Sequence, residues 1–296
     1  MRTSIRAARR REEAWAYVML APYLLTFLAF LVYPSIQGLY LSFTDAQLGG
    51  RDVQWIGFEN YTWILTDPLF ATVVLNTLIF VAESTPLLIA IPLLLAVLLN
   101  RGLPMQAFLR GAFFVPFTLS VSVISITWWW LYEPNFGLVN SYVRQLGLSP
   151  TAWLTTPGWA MLGVVIATVW WTAGYNLVLF LAGLQAIPVS VYEAARIDGA
   201  TAWHEFRYVT LPLLRPTMLL VVVIQVIASF QVFGQVFVMT GGGPGDNTRT
   251  VIQYVYEAAF VGRRLAEGSS AAWLLFVLIL IFSFIQFRLL RGHTEY

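Results

Sequence analysis

The chain has 296 residues, of which 58% are hydrophobic and 11% are charged, and its formal net charge is +2. With a mean hydropathy of +0.72, it has too little polar surface to coat a soluble globule, so the composition predicts a membrane protein. All 17 residues in the Lys and Arg class are arginine, and there is no cysteine. The chain therefore has no P-loop or Schiff-base lysine, and it has no disulfide, thiol nucleophile or zinc–cysteine site.

Six apolar runs are long enough to cross a hydrocarbon core of roughly 30 Å as helices, which takes about 20 residues. Five carry no charge, and the second carries only Glu83. Helix is predicted because each backbone polar group must be satisfied within the segment. The approximate bounds are Ala14 to Tyr33, Ala71 to Leu99, Gly111 to Tyr132, Trp159 to Leu181, Thr217 to Thr240 and Ser269 to Phe287.

The sequence therefore predicts an all-α membrane protein with about six transmembrane helices. Residues 1–13 read as a basic tail, residues 14–291 as a single membrane domain, and residues 292–296 as a C-terminal tail. With a cytoplasmic N-terminus, twelve arginines lie on the cytoplasmic side and five on the other. The positive-inside rule then places both termini in the cytoplasm. The arginines lie at segment ends and form no patch suited to nucleic acid.

The most informative segment is the cytoplasmic connection at about 187–216, between the fourth and fifth spans. It reads as two short helices. Pro188 and Ser190 open the first, Gly199 permits a left-handed turn, and Thr201 caps a second helix that stops before Leu211-Pro212.

The first of these helices has the properties of a docking element. Ala194 and Ala195 allow close approach by a partner, and Glu193 and Asp198 offer carboxylates to partner arginines. The alternative is a helix that lies on lipid headgroups, but its acidic residues would face anionic lipid.

The same connection resembles the EAA loop of permease subunits of binding-protein-dependent ABC importers. The matching residues are Glu193-Ala194-Ala195, Asp198-Gly199-Ala200, Phe206 and Leu211-Pro212. Motifs of the carbohydrate-uptake branch extend the resemblance over most of the chain: Ala21-Pro22, Tyr33-Pro34, Gly57-Phe58-Glu59-Asn60-Tyr61, Asn76-Thr77, Leu184-Gln185-Ala186-Ile187-Pro188 and Thr240 to Gly245.

This resemblance implies a type I importer permease in a bacterial or archaeal cytoplasmic membrane. A second related permease shares the path, two copies of a cytoplasmic ATPase bind ATP and Mg, and an external solute-binding protein delivers the cargo. The implied ATPase-coupling residues are Glu193, Ala194, Ala195, Asp198 and Gly199. The chain itself is implied to be non-catalytic, with no cofactor or metal of its own.

Polar and aromatic side chains in the fourth and fifth spans suggest a substrate path, because such groups are costly to bury in lipid. Amides and hydroxyls match sugar hydroxyls, and aromatic rings match the apolar faces of sugars. The candidates are Trp171, Tyr175, Asn176, Gln225, Ser229 and Gln231. The resemblance to maltose-type permeases favours Asn176, Gln225 and Ser229. Hydrogen bonding between helices is the alternative role for each.

Three other classes remain open from the residues alone: a secondary transporter, an intramembrane enzyme and a purely structural membrane subunit, the last of which leaves the EAA-like loop unexplained. A secondary transporter is expected to show intramembrane carboxylates and inverted repeats, and the chain offers Glu83 without a repeat. Glu83 could be protonated, face water or pair with another permease. An intramembrane enzyme needs a catalytic set, yet His204 and His293 lie outside the spans. Among importers, a glycerol-phosphate permease is the main rival to a sugar or polyol permease.

Overall fold

The computed structural model describes residues 2–50, 52–101 and 104–291, and these are helical with connecting loops. Within them the extended structure is one isolated antiparallel bridge between Thr44 and Trp55. Four helices are long and apolar enough to cross a membrane, and the number rises to six if each of two bent helix pairs is one span. The prediction of an all-α membrane protein is confirmed.

The first span begins with α1 (Arg2–Phe27), passes through a π-helical stretch (Leu28–Val32) and ends with α2 (Tyr33–Leu41). Helix therefore starts within the segment predicted to be a tail, before Ala14. The apolar part, Trp15–Leu41, has none of its residues buried inside the chain. The predicted C-terminal tail, 292–296, lies outside the described residues.

The second span is α4 (Pro68–Leu99), which follows the short helix α3 (Glu59–Thr66). Asp67 caps α4, because its carboxylate accepts a hydrogen bond from the backbone N–H of Leu69 at 2.9 Å. Pro86 and Pro92 lie inside this 32-residue helix. Each removes one backbone donor, so a carbonyl four residues earlier needs another partner.

The third predicted span is not one helix. It consists of α5 (Gln106–Thr118) and α6 (Val121–Leu131), which meet at an angle of 97°. Pro116 lies in the last turn of α5, Leu119 is extended, and the Ser120 hydroxyl caps α6 by accepting from the N–H of Val123. The apolar run Gly111 to Tyr132 is therefore continuous in hydropathy but not in helical structure, and the break is visible only in the turn and cap geometry.

The fourth span is α8 (Trp159–Gln185), and α7 (Leu138–Gln145) precedes it. Two glycines let other spans approach α8 closely. A methyl group at Gly174 would clash with the carbonyl oxygen of Phe113 in α5, and one at Gly183 would clash with the side chain of Thr217. Thus α8 is in close contact with the third span at one level and with the fifth span at another.

The connection after α8 contains α9 (Val189–Ile197), α10 (Ala202–His204), a π-helical stretch (Glu205–Thr210) and α11 (Leu211–Leu213). The predicted first helix and the Thr201 cap are present. The predicted stop before Leu211-Pro212 is wrong, because helical conformation continues to Leu213. Pro212 is tolerated there because it occupies the first turn after the π-helical stretch.

The fifth predicted span, Thr217 to Thr240, is also broken. It contains α12 (Arg215–Phe230) and α13 (Gly234–Met239), and Gln231 and Phe233 between them have non-helical backbone angles. The chain continues with α14 (Val251–Tyr256), a π-helical stretch (Glu257–Val261) and α15 (Leu265–Arg291), the sixth span.

The chain divides into two compact units. One consists of the chain up to Ile64 together with Glu257–Trp273, and the other of Leu65–Tyr256 together with the chain from Leu274. In the first unit, the Asn60 side chain donates to the carbonyl oxygens of Ser42 and Thr44. In the second, α4 packs against α8, α12 and α14. The functional side chains discussed below all lie in the second unit.

Candidate functional site

A cavity of about 380 Å³ lies where the break between α5 and α6 and the break between α12 and α13 meet α4 and α8. Its polar side chains are Thr168, Thr172, Gln225, Ser229, Gln231 and Gln235. Its aromatic side chains are Phe80, Phe117, Trp171 and Phe233. Among the described lining residues none is charged. The breaks thus bring amides, hydroxyls and aromatic rings to one place inside an otherwise apolar bundle.

Trp171 lines this cavity, whereas Tyr175 does not. The indole Nε1 of Trp171 donates to the carbonyl oxygen of Leu119 at 3.3 Å, in the break between α5 and α6. This bond satisfies a backbone acceptor that the interrupted helix leaves open. The Tyr175 ring stacks on Phe117, with ring centroids 4.8 Å apart. Tyr175 therefore supports an aromatic wall of the cavity from behind.

Asn176 is 1% exposed and lies in a junction between helices rather than on the cavity wall. Its Nδ2 donates to the carbonyl oxygen of Leu88 at 2.8 Å and to Oε1 of Gln225 at 3.0 Å. The helical partner of the Leu88 carbonyl would be the N–H of residue 92, which is a proline. Asn176 therefore replaces the hydrogen bond that Pro92 removes from α4.

Gln225 and Ser229 belong to both the junction and the cavity. The Gln225 Nε2 donates to the Ser229 hydroxyl at 3.2 Å, and the Ser84 hydroxyl donates to the same oxygen at 3.2 Å. Both residues also line the cavity. The polar junction, which consists of Ser84, Leu88 O, Asn176, Gln225 and Ser229, joins α4, α8 and α12 with hydrogen bonds that are largely shielded from water.

Gln231 also lines the cavity, but its position does not come from helical periodicity. It lies in the break after α12, and Gln235 lies in α13 beyond that break. Sequence reasoning did not select Thr168, which lines the same cavity. Its position four residues before Thr172 on α8 is the signal that could have found it.

The second candidate site is the helix α9 with the turn that follows it. Glu193, Ala194, Asp198 and Gly199 are exposed, and Ala195 is half-buried. Gly199 has a φ of +83°, a conformation that side chains with a Cβ adopt at a steric cost. The predicted left-handed turn is confirmed. Ile197 beside it is 86% exposed, which leaves a large apolar side chain without cover in this chain.

Two side-chain contacts that the sequence did not reveal connect α9 to the segment after the turn. Arg196 Nε donates to Glu205 Oε1 at 2.6 Å, and the Tyr192 and Thr210 hydroxyls lie 3.2 Å apart. The hydrogen bond to Glu205 raises the pKa of Arg196, so the guanidinium stays charged. These contacts set the orientation of α9 relative to the start of the fifth span.

The described residues contain no group of three or more His, Asp or Glu side chains suited to a metal ion. The helical bundle with a polar cavity at two helix breaks, followed by an exposed α9 and turn, is the architecture of a membrane transport subunit.

Comparison with known proteins supports this class. Residues 68–293 match the model of the family described as binding-protein-dependent transport system inner membrane component. The chain belongs to this family, as the EAA-loop resemblance predicted.

Individual relatives cover nearly the whole chain. The chain is 32% identical to the sulfoquinovosyl glycerol transport system permease protein of Agrobacterium fabrum, over 98% of both chains. It is 33% identical to the sn-glycerol-3-phosphate transport system permease protein of Brucella abortus, over 95% of this chain and 96% of the relative. A crystal structure of a bacterial ABC transporter that imports the acidic polysaccharide alginate contains a similar chain, with a TM-score of 0.85, 25% identity, and coverage of 98% of this chain and 100% of that one.

The family decides between the classes that the residues left open. The chain is an ABC importer permease and an inner-membrane component. This membership excludes the interpretations of the chain as a secondary transporter and as an intramembrane enzyme. The prediction that the chain is a non-catalytic subunit is confirmed on the same ground.

Proposed function

We propose that this permease carries a neutral sugar or polyol through the cavity at the two helix breaks. The observation that supports this assignment is the chemistry of the lining, in which amides, hydroxyls and aromatic rings occur without a charged side chain. Amides and hydroxyls donate to and accept from sugar hydroxyls, and rings cover the apolar faces of a sugar. The volume of about 380 Å³ is in the range of small-molecule sites.

A glycerol phosphate or another anionic cargo is the second candidate, because permeases named for such cargo are among the relatives. Others are named for lactose and for arabinooligosaccharides, so the names alone do not decide the cargo. A desolvated phosphate needs a cation or several charge-assisted donors. In the described part of this chain, the cavity lining offers neither arginine nor histidine. The neutral cargo is therefore the better chemical match.

The first prediction concerns the cavity. Gln231→Ala removes one amide from the lining, and the loss of a hydrogen bond to a buried hydroxyl costs about 1–3 kcal/mol. In the reconstituted importer the KM for sugar uptake should rise about five- to hundredfold. The measurement is sugar-stimulated ATP hydrolysis and uptake across a panel of neutral sugars, polyols and sugar phosphates.

Gln145→Ala is the matched control, because Gln145 is an exposed amide at the end of α7, away from the cavity. Its KM should stay unchanged. Stimulation by sugar phosphates alone would contradict a neutral cargo, and an unchanged KM for Gln231→Ala would remove this residue from the path.

The coupling role of α9 and its turn is the second part of the proposal. In this account, α9 docks on a cytoplasmic ATPase subunit, which holds the ATP and Mg. Two such subunits, a second related permease and an external solute-binding protein complete the importer. Support comes from the exposed carboxylates Glu193 and Asp198, the small residue Ala194 and the uncovered Ile197. The two carboxylates can pair with basic side chains of a protein partner, and apolar side chains of that partner can cover Ile197.

The second prediction uses the backbone of the turn. Gly199→Val places a β-branched residue at a φ of +83°, at a strain of about 1–3 kcal/mol. The docked population of the ATPase should fall about five- to hundredfold, measured as ATPase retained on the purified permease and as ATP hydrolysed per sugar imported.

Gly147→Val is its control, because Gly147 has a φ of +75° and open space around it, as Gly199 does, but lies after α7. It carries the same local strain and should retain the ATPase. Full ATPase retention and normal uptake by the Gly199 variant would contradict the docking role.

Orientation is the third part of the proposal. We place both termini and α9 in the cytoplasm, and α7 and the α14 region outside. Support comes from the twelve-to-five distribution of arginines between the two sides, and the cytoplasmic position of α9 is required for contact with an ATPase.

The third prediction follows, and the absence of native cysteine makes it simple to test. Ala202→Cys, in the exposed first turn of α10, should resist a membrane-impermeant thiol reagent in intact cells and react after permeabilisation. Gln145→Cys should react in intact cells. Labelling of Ala202→Cys from outside would reverse the proposed orientation.

A further inference from the structure

One face of α4 carries a carboxylate in the middle of an apolar helix. Ile79, Glu83, Pro86 and Ala90 are spaced four, three and four residues apart, so they lie on one side of the helix, and all four are exposed. Phe80, Ser84 and Leu88, on the side that packs in the bundle, are buried. Glu83 is therefore directed out of the core of its own chain.

Within the described residues, Glu83 has neither a hydrogen bond nor an ion pair. It lies in the middle of the 32-residue α4, whose apolar window has a mean hydropathy of 2.1. An ionised carboxylate in contact with lipid tails at this depth is strongly unfavourable. The Glu83 face, which we define as Ile79, Ala82, Glu83, Pro86 and Ala90, is thus unsuited to lipid.

The cavity does not account for this carboxylate either. Glu83 is not among the residues that line it, and the contribution of α4 to the described lining is Phe80. A donor from another protein chain would satisfy the carboxylate at this depth.

We propose that the Glu83 face is a contact surface for the second permease subunit, and that a transmembrane helix of that subunit presents an arginine, lysine or amide donor to Glu83. Ala82, Pro86 and Ala90 leave the surface beside the carboxylate shallow, so that a second helix can approach closely. A second copy of this chain does not fit. A two-fold axis through this face would bring two Glu83 carboxylates together, and the charges would repel.

This inference rests on the proposed function, because it assumes an importer with two different permeases. The direct test is cross-linking. Ala90→Cys, in a chain without native cysteine, is combined with single cysteines scanned along the helices of a cysteine-free partner permease in the assembled importer. We expect a disulfide to at least one partner position. Leu280→Cys, an exposed position on α15, is the control and should form none to those same positions.

Substitution of Glu83 distinguishes between a protein partner, lipid and water as the neighbour of the Glu83 face. Glu83→Leu leaves the partner's donor buried without an acceptor, so the second permease retained on purification should fall about five- to hundredfold. Glu83→Gln keeps a hydrogen-bond acceptor, so this variant should retain more of the second permease than Glu83→Leu does. If the face met lipid, Glu83→Leu would assemble as well as the wild type or better. If the face met water, Glu83→Cys would react quickly with a charged thiol reagent in the assembled importer.

Either of the last two results, or the absence of any cross-link, would overturn the inference. The proposed function would survive such a failure, because the wild-type importer would still show sugar-stimulated ATP hydrolysis. Failure of the proposed function itself would instead be seen in the wild type, as a complex with no second permease or no response to any neutral sugar.

Discussion

The missing N–H of Pro92 is the constraint on which the arrangement of the central helices depends. It leaves the Leu88 carbonyl of α4 without its helical partner, deep in an apolar bundle where an unsatisfied acceptor is costly. Asn176 of α8 supplies the donor from Nδ2, and the second N–H of the same nitrogen donates to Oε1 of Gln225 on α12. One local defect in a helix is thus satisfied by a polar junction that fixes the positions of three helices.

The same helices connect the cavity with the cytoplasmic side. From the junction, α8 continues to Gln185, where Gly183 allows close contact with Thr217 near the start of α12, and α9 begins at Val189. Arg196 and Glu205 then hold α9 against the segment that leads back to α12. In the proposed coupling, a displacement of α9 is transmitted to two helices that line the cavity. Packed helices shift as rigid bodies, so this arrangement suits the domain movements of a transporter.

Sequence reasoning located the spans and α9, because both depend on local properties: hydropathy over about 20 residues, and turn and cap residues such as Gly199 and Thr201. It missed the breaks at Leu119 and at Gln231 to Phe233, since an apolar run stays apolar through a bend. It selected Trp171, Gln225, Ser229 and Gln231, which the cavity does contain. Asn176 was selected for the same polarity, but its partner is a carbonyl 88 residues away in sequence, and no local pattern encodes that pairing.

The most direct test of this account is the effect of Asn176→Ala on the assembled importer, with Thr172→Ala, one turn earlier on α8 and on the cavity wall, as the comparison. Loss of the junction leaves Leu88 O and Gln225 without their donor, so the thermal midpoint should fall and more ATP should be hydrolysed per sugar imported, with no comparable fall for Thr172→Ala. Because Asn176 does not line the cavity, the affinity for sugar should change less in Asn176→Ala than in Thr172→Ala. An Asn176→Ala importer with wild-type stability and wild-type coupling would contradict the central role of the junction.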